Sequence, residues 1–394
     1  MKLFVKITTG SFHNASRDKR ELAVVQSLGL KTLVVAKGDS TVVKEIDGWK
    51  VHALSTRPIG HLPILTKLNR LLSLLTWAYY IRSLKANYLS CHDLFALSIG
   101  WLSTLGLRKG KKPFLIYDSH EFEAGINTDG QRGKIKTWVI IRLERFLILK
   151  TALNIMVNDT IADEVQKLHQ LPVKPLVVRN IPTYWNINLK DCEEQRKIFC
   201  NQLNLPYDTF LIMYHGGIMK GRGIEFILKA SSNIKNIAII LLGNGDTPYL
   251  SDLKLQTKEQ NIDRNTLFHP AVSQSELWKY VGAVDLGIVL IQNVCLSYFY
   301  SLPNKLFENI QALTPIISSN FPEMRKIVNK YQIGICINPT DISEIVEAIM
   351  KVKDNPTLYK EFKHNLTIAK TELCWEQEKN FLIQAYTKLI YTYL

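Results

Sequence analysis

Short apolar runs alternate along this chain with longer segments in which apolar residues recur every three or four positions. The first pattern is typical of buried β-strands and the second of helices that pack on a sheet. In the first half we expect a helix near 16–28 and strands near 2–8, 32–36, 88–90, 114–117 and 152–157. Strands separated by helices form parallel sheets. The first half is therefore predicted to be an α/β domain.

The same alternation begins again after residues 175–182, where two prolines flank a short apolar strand. The second half predicts a helix near 222–232 and strands near 210–214, 237–242, 286–290 and 315–319. A chain of 394 residues is long enough for two full hydrophobic cores. The prediction is α/β, with two doubly wound parallel-sheet domains that meet near residue 181.

Positive charge is concentrated in the first half. Residues 1–180 hold 27 Lys and Arg against 14 Asp and Glu, a net charge of +13, whereas residues 181–394 have a net charge of +1. A basic half indicates a polyanionic partner, either an anionic membrane surface or nucleic acid. The sequence has no nucleic-acid-binding motif, so the membrane is favoured and no nucleic-acid partner is expected. A basic surface that is only solvated is the alternative.

Targeting and cysteine patterns point to the cytoplasm. The first residues read as a strand rather than a signal peptide, and no apolar run is long enough to span a membrane. The six cysteines are scattered without a CxxC pair, which argues against disulfides and zinc. We expect a cytoplasmic protein that is peripheral on the cytoplasmic membrane face.

Two segments of the first half mix apolar and basic residues at helical spacing. They are 61–86, with Trp77 among its aromatic residues, and 133–150, with Trp138. Either segment could lie on a membrane. Helical stripes of this kind more often belong to a core, so both interpretations stay open.

The segment 298–310 predicts a polar loop that turns at Pro303 into a helix. Free N–H groups of a first helical turn and the positive end of the helix dipole bind anions. Lys305 would add positive charge, and Glu308, one turn later, could accept hydrogen bonds from sugar hydroxyls. Phosphate and hydroxyl groups together suggest a nucleotide ligand.

Three strand-to-loop exits are expected at the same edge of the second sheet. Glycines in the first exit let the backbone approach a diphosphate, and its two cations supply fixed charge; the second exit is a Gly-Asn-Gly turn, and the third could contact a base. The candidate residues are Gly216, Gly217, Lys220 and Arg222, then Gly243 and Asn244, then His269, Ala271 and Val272.

Polar residues also follow the strands of the first half. Gly10 comes after the first strand, and Asp118, His120 and Glu121 come after the strand at 114–117. His120 could hydrogen-bond a substrate hydroxyl or stabilise developing charge, although a loop histidine often has no such role. His92 and Asp93 are interpreted as scaffold. No carboxylate or histidine cluster is spaced for a metal.

The order of these motifs resembles a known family. The motifs are DSHE at 118–121, YHGG at 214–217 with GRG at 221–223, LLGNGD at 241–246, FHPAV at 268–272 and SLPNKLFE at 301–308. Together they resemble the family-4 (group 1) retaining glycosyltransferases of the GT-B fold, especially bacterial members that act on surface polysaccharides. The resemblance implies two Rossmann-like domains facing a cleft, no cofactor other than the nucleotide diphosphate sugar as co-substrate, and no metal.

The resemblance also implies the domain roles. Residues 1–181 would bind the acceptor, a saccharide or lipid-linked molecule, and residues 182–372 the nucleotide-sugar donor. Residues 373–394 would form a helix that packs back on the first domain. The donor is expected at the exits above, together with Gly10 and with Leu302, Pro303, Asn304, Lys305 and Glu308.

The catalytic residues implied are His120, Arg222, Glu308 and Tyr300. Glu308 matches the second glutamate of the family's E-x7-E motif, but the first glutamate is replaced by Tyr300. The expected activity is hexosyl or glycosyl transfer (EC 2.4) to an acceptor hydroxyl. The alternatives are a GT-B nucleotide-sugar epimerase, a transferase with a small soluble acceptor, and an inactive binding protein.

Overall fold

The chain forms two compact units in the computed structural model, which describes residues 1–13, 15–57, 66–127 and 133–392. The first unit comprises Met1–Arg179 and Lys379–Leu394, and the second comprises Asn180–Glu378. Part of the predicted amphipathic segment 61–86, namely residues 61–65, lies outside the described residues.

The first unit is built on an eight-stranded sheet in the order β3-β4-β2-β1-β5-β6-β7-β8. All neighbouring pairs are parallel except β3 with β4. The strands are β1 (Leu3–Thr8), β2 (Lys31–Gly38), β3 (Val42–Ile46), β4 (Trp49–Ser55), β5 (Tyr88–His92), β6 (Phe114–Ser119), β7 (Leu153–Met156) and β8 (Leu176–Val177). The helices are α1 (Ser16–Ser27), α2 (Thr66–Ser83), α3 (Asp93–Ser103), α4 (Lys134–Ile148) and α5 (Asp159–His169).

Strand β1 is the turning point of this sheet. The chain moves from β1 to β2 on one side and returns to β5 on the other side. Such a topological switch point opens a crevice outside the carboxyl ends of the two strands, where α/β proteins bind ligands. Gly10 and His92 therefore lie at the edge of the sheet that is suited to a site.

The second unit is built on a six-stranded, fully parallel sheet in the order β11-β10-β9-β12-β13-β14. Its strands are β9 (Phe210–His215), β10 (Ile237–Leu242), β11 (Thr266–His269), β12 (Leu286–Val289), β13 (Ile316–Ser319) and β14 (Gly334–Ile337). Its helices are α6 (Leu189–Leu203), α7 (Ile224–Ser231), α8 (Thr247–Glu259), α9 (Leu277–Val281), α10 (Leu296–Phe299), α11 (Asn304–Gln311), α12 (Pro322–Tyr331), α13 (Ile342–Lys353) and α14 (Pro356–Glu372), and α15 (Trp375–Thr392) continues into the first unit.

Helices cover both faces of the second sheet. All six residues of β10 are buried, as expected for a central strand covered on both sides. Here the switch point lies between β9 and β12, because the chain runs from β9 outward to β11 and then returns to β12. The loops after these two strands, together with the start of α11, meet at that point.

The two predicted Rossmann-like parallel-sheet domains are confirmed, and the strands expected around residues 2–8, 32–36, 210–214 and 237–242 are present. Sequence reasoning did not identify β3 and β4. Strand β3 lies at the edge of the sheet and is partly exposed. In the described part of the chain, no helix combines the length and apolar character needed to cross a membrane.

Candidate functional site

The loop after β9 is held at the centre of the second unit's switch point. On one side, the Ile218 N–H donates to the carbonyl oxygen of Asn244 over 2.8 Å. On the other side, the Gln292 N–H donates to the Gly221 carbonyl oxygen over 3.0 Å. The backbone is packed so closely that a Cβ at Gly243 would lie 1.9 Å from the Gly216 carbonyl oxygen. The glycines therefore allow three loops to form one rigid backbone surface.

Helix α11 begins beside this surface with its first turn available to a ligand. Its N-cap residue is Pro303, which makes no side-chain capping hydrogen bond. The Lys305 side chain lies against Gly216, where an added Cβ would come within 2.9 Å of the Lys305 Nζ atom. Gly216 has φ +105°, a conformation that favours glycine. An uncapped helix start with an adjacent ammonium group is suited to a phosphate.

Two cations, Lys305 and Arg222, lie near the start of α11 and repel each other. Burial lowers the pKa of Lys305 to about 8, and the Arg222 guanidinium adds to this effect. Arg222 is held by Tyr298, whose hydroxyl lies 3.3 Å from Nη2 and whose ring lies below the guanidinium at 4.7 Å. An anion between the two cations would relieve their repulsion.

Glu308 lies one turn into α11 and is buried. Its Oε2 atom is 2.9 Å from Nε2 of His215, and its Oε1 atom accepts a hydrogen bond from Gln274 over 3.1 Å. Burial opposes ionisation, but hydrogen bonds from His215 and Gln274, with the charge of Lys305, lower the pKa of Glu308. The carboxylate is therefore an ionised acceptor that is already oriented, and a sugar hydroxyl would compete with Gln274 for it.

The exit after β11 joins the exit after β10. Ala271 donates its N–H to Oδ1 of Asn244 over 3.3 Å, so this side chain fixes the two loops. The His269 ring packs near Phe199 and Tyr280. Val272 is partly buried and packs against the hydrophobic core cluster that includes Phe199. Backbone groups of residues 270–272 are thus the part of this exit that can contact a ligand.

The remaining donor-site candidates differ in exposure. Gly217, Lys220 and Asn304 are exposed, whereas the Leu302 side chain is buried in the core and can offer only backbone groups to a ligand. Tyr300 follows α10, with its ring against Phe299. Tyr300 stands where the E-x7-E motif has its first glutamate. No other carboxylate takes its place in 298–307, because this segment has no Asp or Glu.

A buried charge network lies at the switch point of the first unit. The Lys6 ammonium is fully buried within 3.3 Å of Asp18, 2.6 Å of Glu21 and 3.0 Å of Asp118. Burial opposes its charge, yet the three carboxylates raise the pKa of Lys6 well above its usual value. Arg17 adds an ion pair to Asp118 at 2.7 Å. The network fixes the end of β6 immediately before His120.

The His120 ring lies against the His92 ring, with 3.6 Å between the ring centroids and a tilt of 38° between the ring planes. Nε2 of His120 lies 3.2 Å from Asp118, while its backbone N–H donates to Asp93 over 2.9 Å. Burial lowers the pKa of His120 although Asp118 opposes this. Burial also opposes charge on His92, but hydrogen bonds to Asp18 and Asp93 raise the pKa of His92 to about 10. The neutral imidazole of His120 therefore lies against the charged imidazole of His92.

Two backbone features accompany the histidine pair. Asp93 has φ +66°, an unusual conformation for a residue other than glycine, and such strain is concentrated at functional sites. Gly10 is exposed, and a Cβ there would meet only the Thr8 hydroxyl oxygen, at 3.9 Å. The fold itself does not require glycine at this position.

Two groups of the described residues bring possible metal ligands within 4.8 Å of one another. One is Asp18, Glu21 and Asp118, whose charge is already offset by Lys6, Arg17 and His92. The other is Asp18, His92 and His120, where a metal would have to displace the proton that His92 shares with Asp18. The expectation that no metal is needed stays a prediction.

Sequence reasoning missed several residues of both sites. His92 and Asp93 were assigned to the scaffold, but they contact His120. In the second unit His215, Gln274 and Tyr298 orient the predicted residues. The position of His215 inside the YHGG motif, directly before two glycines, was the available signal. Nothing local in the sequence pairs Gln274 with Glu308.

Comparison with known proteins finds a family match within the second unit. Residues 195–367 match the model of glycosyl transferases group 1. The chain is 25% identical over 174 residues to the putative colanic acid biosynthesis glycosyl transferase WcaI of Escherichia coli (strain K12), covering 43% of this chain and 40% of that protein. The chain spans about half the length of the curated relatives that it matches.

Solved structures match the chain over its whole length. Sucrose-phosphate synthase of Thermosynechococcus elongatus has a TM-score of 0.77 with 16% identity, covering 100% of both chains. HepE of Anabaena in complex with UDP-glucose has a TM-score of 0.74 with 13% identity, covering 99% of both chains. Residues 195–367 are thus similar to glycosyl transferases group 1, and the chain has the GT-B fold.

Proposed function

We propose that the protein is a retaining glycosyltransferase of family 4. It transfers a sugar from a nucleotide diphosphate sugar to a hydroxyl group of a lipid-linked saccharide in bacterial cell-surface polysaccharide biosynthesis. The observation that carries the proposal is the uncapped start of α11 with Lys305 and Arg222 beside the loop after β9. The group 1 domain, the similarity to WcaI and the nucleotide sugar bound by HepE support it.

In this mechanism the leaving group receives most of the stabilisation. Negative charge develops on the diphosphate as the bond to the sugar breaks, and Lys305, Arg222 and the N–H groups of α11 are fixed in position before the reaction. Preorganised charges stabilise a transition state without a reorganisation cost. The acceptor hydroxyl then attacks the oxocarbenium-like sugar on the face that the diphosphate leaves, and its proton passes to the departing diphosphate.

The other predicted residues have supporting roles. Glu308 binds the ribose hydroxyls, because it is ionised and held by His215. Backbone groups of 270–272 contact the base. We assign His120, with Gly10, to the transferred sugar: its neutral ring has Nε2 occupied by Asp118 and can offer Nδ1 as an acceptor. The fixed cations take the role of a metal, so none is required.

The first test is a thermal-shift panel of UDP, GDP and ADP in the presence of a chelator. One nucleotide should stabilise the protein, and Arg222→Ala and Glu308→Ala should each abolish the shift. Arg264→Ala, on a surface turn outside the donor loops, is the matched control. A panel without any shift for the wild type would overturn the donor-site assignment.

The stereochemistry and reaction class need a second test. With the selected nucleotide sugar and a saccharide acceptor, the anomeric configuration of the product is followed by NMR. Retention is expected. Release of free sugar or of an epimer without acceptor would instead favour a nucleotide-sugar epimerase. Turnover with a short soluble saccharide as fast as with a lipid-linked one would contradict the proposed acceptor class.

A further inference from the structure

Helix α4 of the first unit presents its apolar stripe to solvent. The exposed apolar residues are Ile135, Trp138, Val139, Leu143 and Phe146, followed by Leu149 just after the helix. Their spacing of three and four places them on one face of the helix. Ile135 is 81% exposed and Trp138 is 58% exposed. A stripe of this kind normally faces a core.

The opposite face of α4 explains this orientation. It buries Leu147 and Ile148 in the core. It also buries Glu144, whose Oε1 atom accepts a hydrogen bond from the Tyr117 hydroxyl over 2.9 Å and whose Oε2 atom lies 3.0 Å from His169. A buried carboxylate must keep its partners, since removing them is costly. The pairing therefore fixes the rotation of the helix and holds the apolar stripe outward.

A cavity of about 1000 Å³ opens near the carboxyl end of this helix. It lies at the amino-terminal edge of the sheet, where residues before β1, β5, β6 and β7 line it. Seven of its lining residues are Lys or Arg and none is Asp or Glu: Lys2, Arg82, Lys85, Lys109, Lys111, Lys112 and Lys150.

These cations have no anionic partner within the chain as described. Arg82 donates to the Leu105 carbonyl oxygen, and Lys2 lies 3.4 Å from the Tyr88 hydroxyl. In the ranges that the structure covers, no ion pair joins any of the seven to a carboxylate. So many like charges around one cavity repel one another and attract a multivalent anion.

Lys150 joins the cavity to the apolar stripe. Its ammonium lies 4.3 Å from the centre of the Phe146 ring, and Phe146 packs edge-on against Trp101 of α3 at 5.1 Å. Aromatic and aliphatic side chains thus begin where the cationic cavity ends. This combination matches the boundary between lipid headgroups and acyl chains.

We propose that this surface, the α4 stripe with the cationic cavity, docks the protein on an anionic lipid bilayer, with lipid phosphate groups in the cavity and Trp138 and its neighbours at the acyl boundary. The inference deepens the proposed function, whose lipid-linked acceptor lies in a membrane, by naming the surface of this chain that binds the membrane and the lipid class that it binds. It does not depend on sugar transfer.

Other occupants fit the surface less well. A second copy of this chain would bring two strongly basic surfaces together, since residues 1–180 have a net charge of +13. Nucleic acid would satisfy the cavity but would leave Ile135, Val139 and Leu149 without apolar partners. A bilayer satisfies the charge and the stripe together.

The surface is separate from the sites described above. The cavity reaches the start of β5 at Tyr88, whereas His92 ends that strand. Four residue steps of an extended strand span about 13 Å. Substitutions at the cavity can therefore be made without changing residues of the proposed sugar site or the donor site.

The test uses flotation of the full chain with vesicles of phosphatidylcholine alone or with one phosphatidylglycerol lipid in three. Binding is expected only with the anionic lipid and should weaken with salt. A lysine near an anionic surface contributes about fivefold to partitioning. The variant Lys109→Gln/Lys111→Gln/Lys112→Gln should therefore lose about 100-fold, and Ile135→Ser/Trp138→Ser should also bind poorly.

The matched control removes the same number of charges elsewhere in the unit. Lys37→Gln/Lys44→Gln/Lys50→Gln changes exposed lysines of β2, β3 and β4 and should keep most of the binding. Brominated acyl chains should quench the wild type more than Trp138→Phe if the stripe enters the bilayer. Each variant is first checked for an unchanged melting temperature.

Three results would overturn the inference. They are no binding of the wild type to anionic vesicles, equal losses in the cavity and control variants, and preferential binding to an oligonucleotide that anionic vesicles do not displace. The nucleotide thermal shift is measured on the same samples. A shift without vesicle binding would refute only the membrane surface, and vesicle binding without a shift would refute only the donor site.

Discussion

The pKa of Lys305 makes donor binding dependent on pH in a way that can be calculated. In the unliganded protein this pKa is lowered from 10.5 to about 8 by burial and by Arg222. A diphosphate beside the ammonium would favour its charged form and raise the pKa again. Binding should therefore take up a proton whenever Lys305 is partly neutral beforehand.

The size of the effect follows from the charged fraction. With a pKa of about 8, roughly three quarters of the Lys305 side chains are charged near pH 7.5 and about 3% near pH 9.5. If only the charged form binds well, the apparent affinity falls by the same ratio. The dissociation constant should thus rise about 25-fold between these pH values.

Isothermal titration calorimetry measures both the affinity and the proton uptake. The ligand is the nucleoside diphosphate selected by the thermal-shift panel, titrated in two buffers with different ionisation enthalpies. Lys305→Met should bind about 10- to 150-fold more weakly near pH 7.5, because a hydrogen bond to a charged group is lost. Its remaining affinity should not change between pH 7.5 and pH 9.5.

Two further variants separate charge from structure. Lys305→Arg keeps a positive charge over the whole range, so it should bind with little dependence on pH. Lys351→Met, an exposed lysine of α13, should behave as the wild type. A wild-type affinity that stays constant from pH 7.5 to 9.5 without proton uptake would refute the reasoning, as would a Lys305→Met protein that keeps the full pH dependence.

Four other predictions concern both units. Gly10→Ala should leave the melting temperature unchanged, because an added Cβ meets only an oxygen at 3.9 Å, but it should lower turnover. A lower melting temperature together with the lower turnover would contradict this prediction. His120→Ala should reduce kcat about 100-fold while the nucleotide thermal shift is retained, and a lost shift would place His120 elsewhere. Lys6→Met should destabilise the first unit by about 3–5 kcal/mol in chemical denaturation, because three buried carboxylates lose the cation that they share and only Asp118 and Asp18 keep another one, Arg17 and His92; Lys37→Met is the control. Sugar transfer should continue in excess EDTA at an unchanged rate. A loss of transfer in EDTA that is reversed only by adding a divalent cation would show that Lys305 and Arg222 are not sufficient.

The sequence was informative where structure depends on neighbouring residues. Apolar runs predicted β9 and β10. The glycine directly after β9 predicted a close approach to a ligand, which stays a prediction, and the Lys305 side chain packs against this glycine. The start of α11 was predictable because a proline followed by a helical pattern is a local signal.

The buried network of the first unit could not be predicted in this way. Lys6, Asp18 and Asp118 come from three separate elements that meet only when β1, α1 and β6 are assembled. A lysine inside an apolar strand indicates exposure when it is considered alone, yet Lys6 is fully buried. Only the strand order brings its carboxylate partners together.

Helix α4 shows a different limit. Its periodicity predicts an apolar face and a polar face, but it does not say which one is buried. The contacts of Glu144 with Tyr117 and His169 decide the orientation, and both partners lie on other elements. Each of the two interpretations of 133–150 describes part of the helix, since Leu147 and Ile148 belong to the core whereas Ile135 and Trp138 are exposed.

The charges of the donor site explain why an anion should organise it. Lys305 and Arg222 repel each other in the free protein, which is one cause of the lowered Lys305 pKa. The carboxylate of Glu308 does not cancel this charge fully, because it is held by His215 and Gln274. Tyr300 contributes a phenol where the E-x7-E motif has its first glutamate. The ligand itself must then supply the missing negative charge, and a diphosphate carries more of it once the sugar has left than before. Product nucleotide should consequently bind more tightly than donor, which makes nucleotide release a natural candidate for the slow step of turnover.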